Sequence, residues 1–74
     1  MNTFEIFCKE YSYRELRGIC NHFYSQYNNM LSNIIDIEDY FQSMCIVLFK
    51  DNNFDDDRAS IRTYVNLKIK YATF

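Results

Sequence analysis

This sequence predicts an all-α fold, a small bundle of three to four helices, on three observations. The 74 residues contain no Pro and one Gly (Gly18), so the usual formers of tight turns are nearly absent. Apolar residues recur at helical spacing through two long stretches, 13–31 and 36–50. Clusters of Asn, Ser and Asp, which cap helices and end them, stand at the boundaries of these stretches. Seven Tyr and seven Phe supply large burial areas to a chain near the lower size limit for one core, so residues 1–74 are read as one domain.

The first element is a short helix over Asn2–Glu10, with Phe4, Ile6, Phe7 and Cys8 as its apolar candidates. Ser12 and Glu15 match the S-x-x-E capping box, in which each side chain satisfies an orphan amide of the first turn. A stripe of Tyr13, Leu16, Ile19, Cys20, Phe23, Tyr24, Tyr27, Met30 and Leu31 then predicts a helix of about five turns. Gly18 inside it costs up to about 1 kcal/mol relative to Ala, which predicts that another helix packs closely there. Asn28-Asn29 weakens this helix and Ser32-Asn33 ends it.

Asp36 is placed to cap the central helix, with Asp39 favouring the positive end of its dipole, and Asp51-Asn52-Asn53 ends it. After the loop Phe54–Arg58, Ser60 is placed to cap the last segment. Residues 63–71 alternate like a strand, whereas Ile61, Tyr64, Val65, Ile69 and Ala72 share one helical face. A lone strand finds no partner in this chain, so helix is the expectation.

Charge is unevenly placed: residues 1–35 sum to zero, 36–57 to −6 and 58–74 to +4. Such a split fits two surfaces with different tasks better than a catalytic pocket. One glycine excludes a Gly-rich phosphate loop, and no metalloprotease helix, nucleophile elbow or Cys–His spacing is present. Cys8, Cys20 and Cys45 read as small, buried, reduced thiols and His22 as an ordinary helix residue, so neither metal nor cofactor is expected. Asp55-Asp56-Asp57 lacks the alternating ligands, turn glycine and terminal Glu of a calcium loop and reads as solvated. No apolar run approaches a membrane span and no signal pattern opens the chain, so the expected location is cytoplasmic.

At 100° per residue, Ile37, Tyr40, Phe41, Met44, Cys45 and Leu48 form one face of the central helix. Asp39, Gln42 and Ile46 lie on the other, flanked by Phe49, Ser43 and Lys50. An apolar spot ringed by polar side chains has the make-up of a binding hot spot. A second helix of the same chain covering Ile46 is the alternative.

The order of several short motifs carries a family resemblance. Asp39-Tyr40-Phe41-Gln42, the apolar run through Phe49, Phe54-Asp55 with Arg58, and Thr63-Tyr64 resemble region 2 of the bacterial RNA polymerase sigma factors. That pattern is roughly D-L-hydrophobic-Q-E, an amphipathic helix, F-D-P-x-x-G or a variant, and a Phe followed by S-T-Y. Leu16, Ile19 and Phe23 fall at the usual apolar places of the preceding helix, so the resemblance covers about residues 11 to 72. It implies an all-helical domain whose second long helix docks on the clamp coiled coil of the core polymerase. Asp39 and Gln42 are the matching positions, and Ser43, Ile46 and Phe49 extend the same face. It also implies that the last helix turns towards promoter DNA, with Arg58, Arg62, Tyr64, Lys68 and Lys70 as contacts.

The chain departs from the pattern in four places. Ser43 stands where the family usually has Glu, the span from Asp39 to Phe54 is one residue short, and Ile61 replaces the usual Phe. Val65-Asn66-Leu67-Lys68 follows Tyr64 where the family commonly has aromatics that stack on unpaired bases. The function expected is a minimal sigma-region-2-like factor that binds core polymerase and works with a second protein supplying promoter recognition. The alternatives are a helical inhibitor of the anti-sigma or phage type occupying the same polymerase surface, and a self-associating bundle.

Overall fold

In a computed structural model, which describes residues 1–31 and 33–73, five helices follow one another: α1 (Thr3–Glu10), α2 (Tyr13–Gln26), α3 (Asn28–Leu31), α4 (Ile37–Lys50) and α5 (Ile61–Thr73). There is no strand among the described residues, and the last segment is a helix. The side chain of Met30, expected in the α2 stripe, and Ser32, expected in its break, lie outside the described residues.

The caps form where their residues predict. Asn2 Oδ1 accepts from the Glu5 amide at 2.8 Å, and Asp36 Oδ1 accepts from the Asp39 amide at 2.9 Å. Ser12 and Ser60 each accept from the amide three residues on, both at 3.2 Å. Each satisfies a donor that the first helical turn leaves unpaired. The Ser12–Glu15 box is only half used, because the Glu15 carboxylate turns to Arg62 at 3.3 Å instead of folding back.

The second helix is shorter than its apolar stripe. It ends at Tyr27, whose φ of −110° and ψ of 27° leave the helical region, and Asn28–Leu31 adds a separate turn. Two causes act together: Asn28-Asn29 is poor in helix propensity, and the Tyr24 hydroxyl donates to the Ile35 carbonyl at 2.9 Å, drawing the returning chain against α2. Gly18 also departs from expectation. A Cβ there would meet nothing within 4 Å, so no helix among the described residues packs closely on it.

Each of the four longer helices touches the other three. Their shared core joins Phe7 of α1, Leu16, Ile19, Cys20 and Phe23 of α2, Tyr40, Phe41, Met44 and Leu48 of α4, and Ile61, Val65 and Ile69 of α5. Ala72, placed on the apolar face of α5 by its spacing, is exposed near the helix end, and Tyr64 is half-buried. Of the three thiols only Cys20 is buried; Cys8 and Cys45 are half-buried. Burial pushes Cys20 up to about 12, with Cys45 adding to the shift and Arg17 opposing it, so the thiol stays protonated.

One buried carboxylate closes the bundle. The Asp51 side chain is 3% exposed. Its oxygens accept from Thr3 Oγ1 at 3.0 Å and the Asn53 amide at 3.1 Å, while Lys68 Nζ stands at 3.9 Å and the Tyr64 hydroxyl is a further partner. The Asp51 carbonyl also accepts from the Thr3 amide at 2.9 Å. Burial alone would raise this carboxyl, but the hydrogen bonds from Tyr64, Asn53 and Thr3, together with the Lys68 charge, outweigh it and hold it below the ordinary carboxylate value. A lowered value means that the contribution to stability is complete above the ordinary carboxylate range and is lost as pH falls through the folded-state value.

Two stability predictions follow from this packing. Asp51→Ala, which strands four donors, lowers unfolding free energy by about 3 kcal/mol at neutral pH, and Asp51→Asn loses less stability than wild type between neutral pH and pH ~3, both read by urea denaturation. Gly18→Ala raises stability by about 0.5–1 kcal/mol in the same assay, because the added methyl improves helix propensity and meets open space.

Candidate functional site

The cap at Asp36 and the knot at Asp51 fix the two ends of α4, and its buried residues fix its rotation. Asp39, Gln42, Ile46 and Phe49 are therefore turned outward and exposed, with Ser43 half-buried at the edge. Ile46 is 54% exposed and Phe49 58% exposed, so more than half of each stays uncovered among the described residues. Phe49 meets Phe4 of α1 with ring centroids 6.1 Å apart and planes tilted by 56°. Together Phe4, Cys45, Ile46, Phe49 and the stem of Lys50 line an apolar depression of about 340 Å³. Two of these members are not legible in the sequence: Cys45, which periodicity assigns to the buried face, and Phe4. The short helix of Phe4 offers too few residues to define a face, and its place comes from Thr3 being tied to Asp51.

The rim of this depression is polar. Asp39 and Lys50 have no ion-pair partner among the described residues, whereas Glu38 is paired with Arg17, whose guanidinium lies 4.9 Å from the centre of the Phe41 ring. The surface thus offers exposed aromatic and branched apolar groups at its centre and unpaired charges at its ends, the anatomy of a protein-binding face.

The basic residues of the C-terminal segment are not gathered in one stripe. Arg58 pairs with Asp55 at 3.6 Å. Arg62 pairs with Glu15 and lies 5.3 Å from the centre of the Tyr11 ring. Lys68 faces Asp51, and Tyr64 packs on Phe54 with centroids 5.3 Å apart. Lys70 is exposed and has no ion pair among the described residues. On the helical wheel Arg62 and Lys68 fall about 120° apart, on opposite flanks of the buried Ile61-Val65-Ile69 row, and Lys70 lies about 80° from Arg62 and about 160° from Lys68.

No catalytic constellation is assembled by the residues that sequence reasoning considered. His22 is exposed on α2 beside a shallow polar depression of about 280 Å³ lined by Glu15, Gly18, Ile19, Arg62 and Asn66. Burial raises Cys8 and Cys45, as it does Cys20, which disfavours the thiolate a nucleophile requires. The carboxylates of Asp55, Asp56 and Asp57 lie within 4.8 Å of one another, fully on the surface. No helix among the described residues is long and apolar enough to cross a membrane. Comparison with protein-family models, with curated proteins and with solved structures finds no match to this chain.

Tyr64 gives the site region a spectroscopic handle. Burial, the hydrogen bond to Asp51 and the Asp51 charge push its hydroxyl up to about 12. A raised value means that this contact stabilises the fold in full below the ordinary tyrosine value near 10.0 and is lost as pH rises through about 12. The outcome expected of an ultraviolet titration of the folded protein is a tyrosine ionising near 12, a component that Tyr64→Phe removes.

Proposed function

We propose that the chain is a small transcription factor that docks on the clamp helices of core RNA polymerase through the outer face of α4, and that a second protein supplies promoter recognition. The observation that carries the reading is the exposure of Ile46 and Phe49 in one row with Asp39 and Gln42, the positions at which the sequence resembles sigma factor region 2. A convex helix with an apolar centre and a polar rim suits a helical partner, which lays its own side chains between these rows at an interaxial distance of about 8–10 Å. Gln42 supplies amide hydrogen bonds and Asp39 a carboxylate for a basic side chain of the partner.

DNA contact has a smaller part in this reading than the net charge of the tail suggests. Arg58, Arg62, Lys68 and Tyr64 are engaged within the fold, and binding phosphates through the two arginines means exchanging surface pairs worth about 0–1 kcal/mol each. Lys70 is the contact that requires no exchange.

Ile46→Asp tests the face directly. It abolishes capture of core polymerase by the tagged chain while changing urea stability by less than about 0.5 kcal/mol, because the residue is exposed. Equal capture by wild type and variant contradicts the assignment. Promoter-directed transcription with the second protein present distinguishes an initiation factor, which raises it, from an inhibitor, which only lowers it.

A further inference from the structure

We propose that the free chain pairs with a second copy of itself, as an antiparallel two-fold dimer, through the outer face of α4. A two-fold interface must be self-complementary, with each contact made twice. This face meets that condition in charge and in shape. Asp39 and Lys50 lie on the same edge of α4, about 20° apart on the wheel and about 16 Å apart along the axis. Both are exposed and neither has an ion-pair partner among the described residues.

Reversing one α4 against another about the midpoint between these residues sets each Asp39 opposite the Lys50 of the second copy. The same register brings the two Ile46 side chains within about one helical turn of each other across the axis, and sends Phe49 along the opposite edge towards Gln42 of the mate. A parallel pairing would set Asp39 against Asp39 and Lys50 against Lys50, so the charges select the antiparallel arrangement.

In this register the aliphatic stem of Gln42 of the mate lies over the apolar depression beside Ile46. The contact is one helix wide with Phe4 at its edge, so it falls among weak interfaces of less than about 1,200 Å² and its dimer is concentration-dependent. It uses the face that the proposed function gives to polymerase, so dimer and polymerase complex exclude each other.

Sedimentation equilibrium of the whole chain tests the pairing, with circular dichroism confirming that each variant is helical. The wild-type mass rises with concentration from 9.0 kDa towards twice that value. Asp39→Lys and Lys50→Asp each stay monomeric, the double variant regains the dimer, and an equimolar mixture of the two single variants forms a heterodimer. A wild type that stays monomeric, single variants that dimerise like wild type, or a double variant that stays monomeric overturns the proposal. Polymerase capture is scored separately on the double variant: a restored dimer without capture leaves the pairing standing, and loss of the dimer with capture intact sinks the pairing alone.

Discussion

The buried carboxylate of Asp51 is the constraint on which the rest of the structure depends. Asp51 ends α4; its carboxylate accepts from the Thr3 hydroxyl of α1, with the Asp51 carbonyl accepting from the Thr3 amide, and receives Tyr64 and Lys68 from α5, so three helices meet at one residue. In a chain of this size the apolar core is small, and a buried charge is tolerable only where every oxygen has a partner. Asp51 meets that condition. Without it, the eight-residue α1 would dock through Phe7 and the half-buried residues around it alone, and a helix that short has little stability of its own.

The same knot builds the candidate site. Tying Thr3 to Asp51 carries Phe4 to the flank of α4, where it meets Phe49 and turns an exposed row into an apolar depression. α4 accordingly has one buried face and one face left largely in water. Tyr40, Phe41, Met44 and Leu48 hold the bundle together, while Ile46 and Phe49 leave apolar area in water next to unpaired charges. The Phe4–Phe49 contact joins α1 to α4, and a partner that covers the remaining exposed area gains about 25 cal/mol for each Å² of apolar surface removed from water.

Local chemistry was legible in the sequence, and long-range pairing was not. Ser12, Asp36 and Ser60 announce helix starts because capping is a matter of four consecutive residues, and each forms as read. The outward rotation of Ile46 follows from periodicity alone. The break at Tyr27 is half legible: Asn28-Asn29 announces a weak point, while the hydrogen bond from Tyr24 to the carbonyl of Ile35 that acts with it is encoded by no local pattern. The C-terminal segment reads as a basic patch, yet Arg62 finds Glu15 across 47 positions of sequence and Lys68 finds Asp51, so much of its charge is used inside the fold. Gly18 invites an explanation by internal packing, and the open space beside it shows that helix propensity alone is a weak guide to neighbours.

The account rests on the outer face of α4 being where this chain meets its partner. Hydroxyl-radical footprinting of the chain with and without core polymerase, at a concentration at which sedimentation shows the free chain to be monomeric, read residue by residue by mass spectrometry, tests that most directly. The predicted result is protection of Phe4, Ile46 and Phe49 on adding polymerase, with the exposed Leu67 and Tyr71 of α5 unchanged. Unchanged labelling of Ile46 and Phe49, or protection confined to α5, contradicts it.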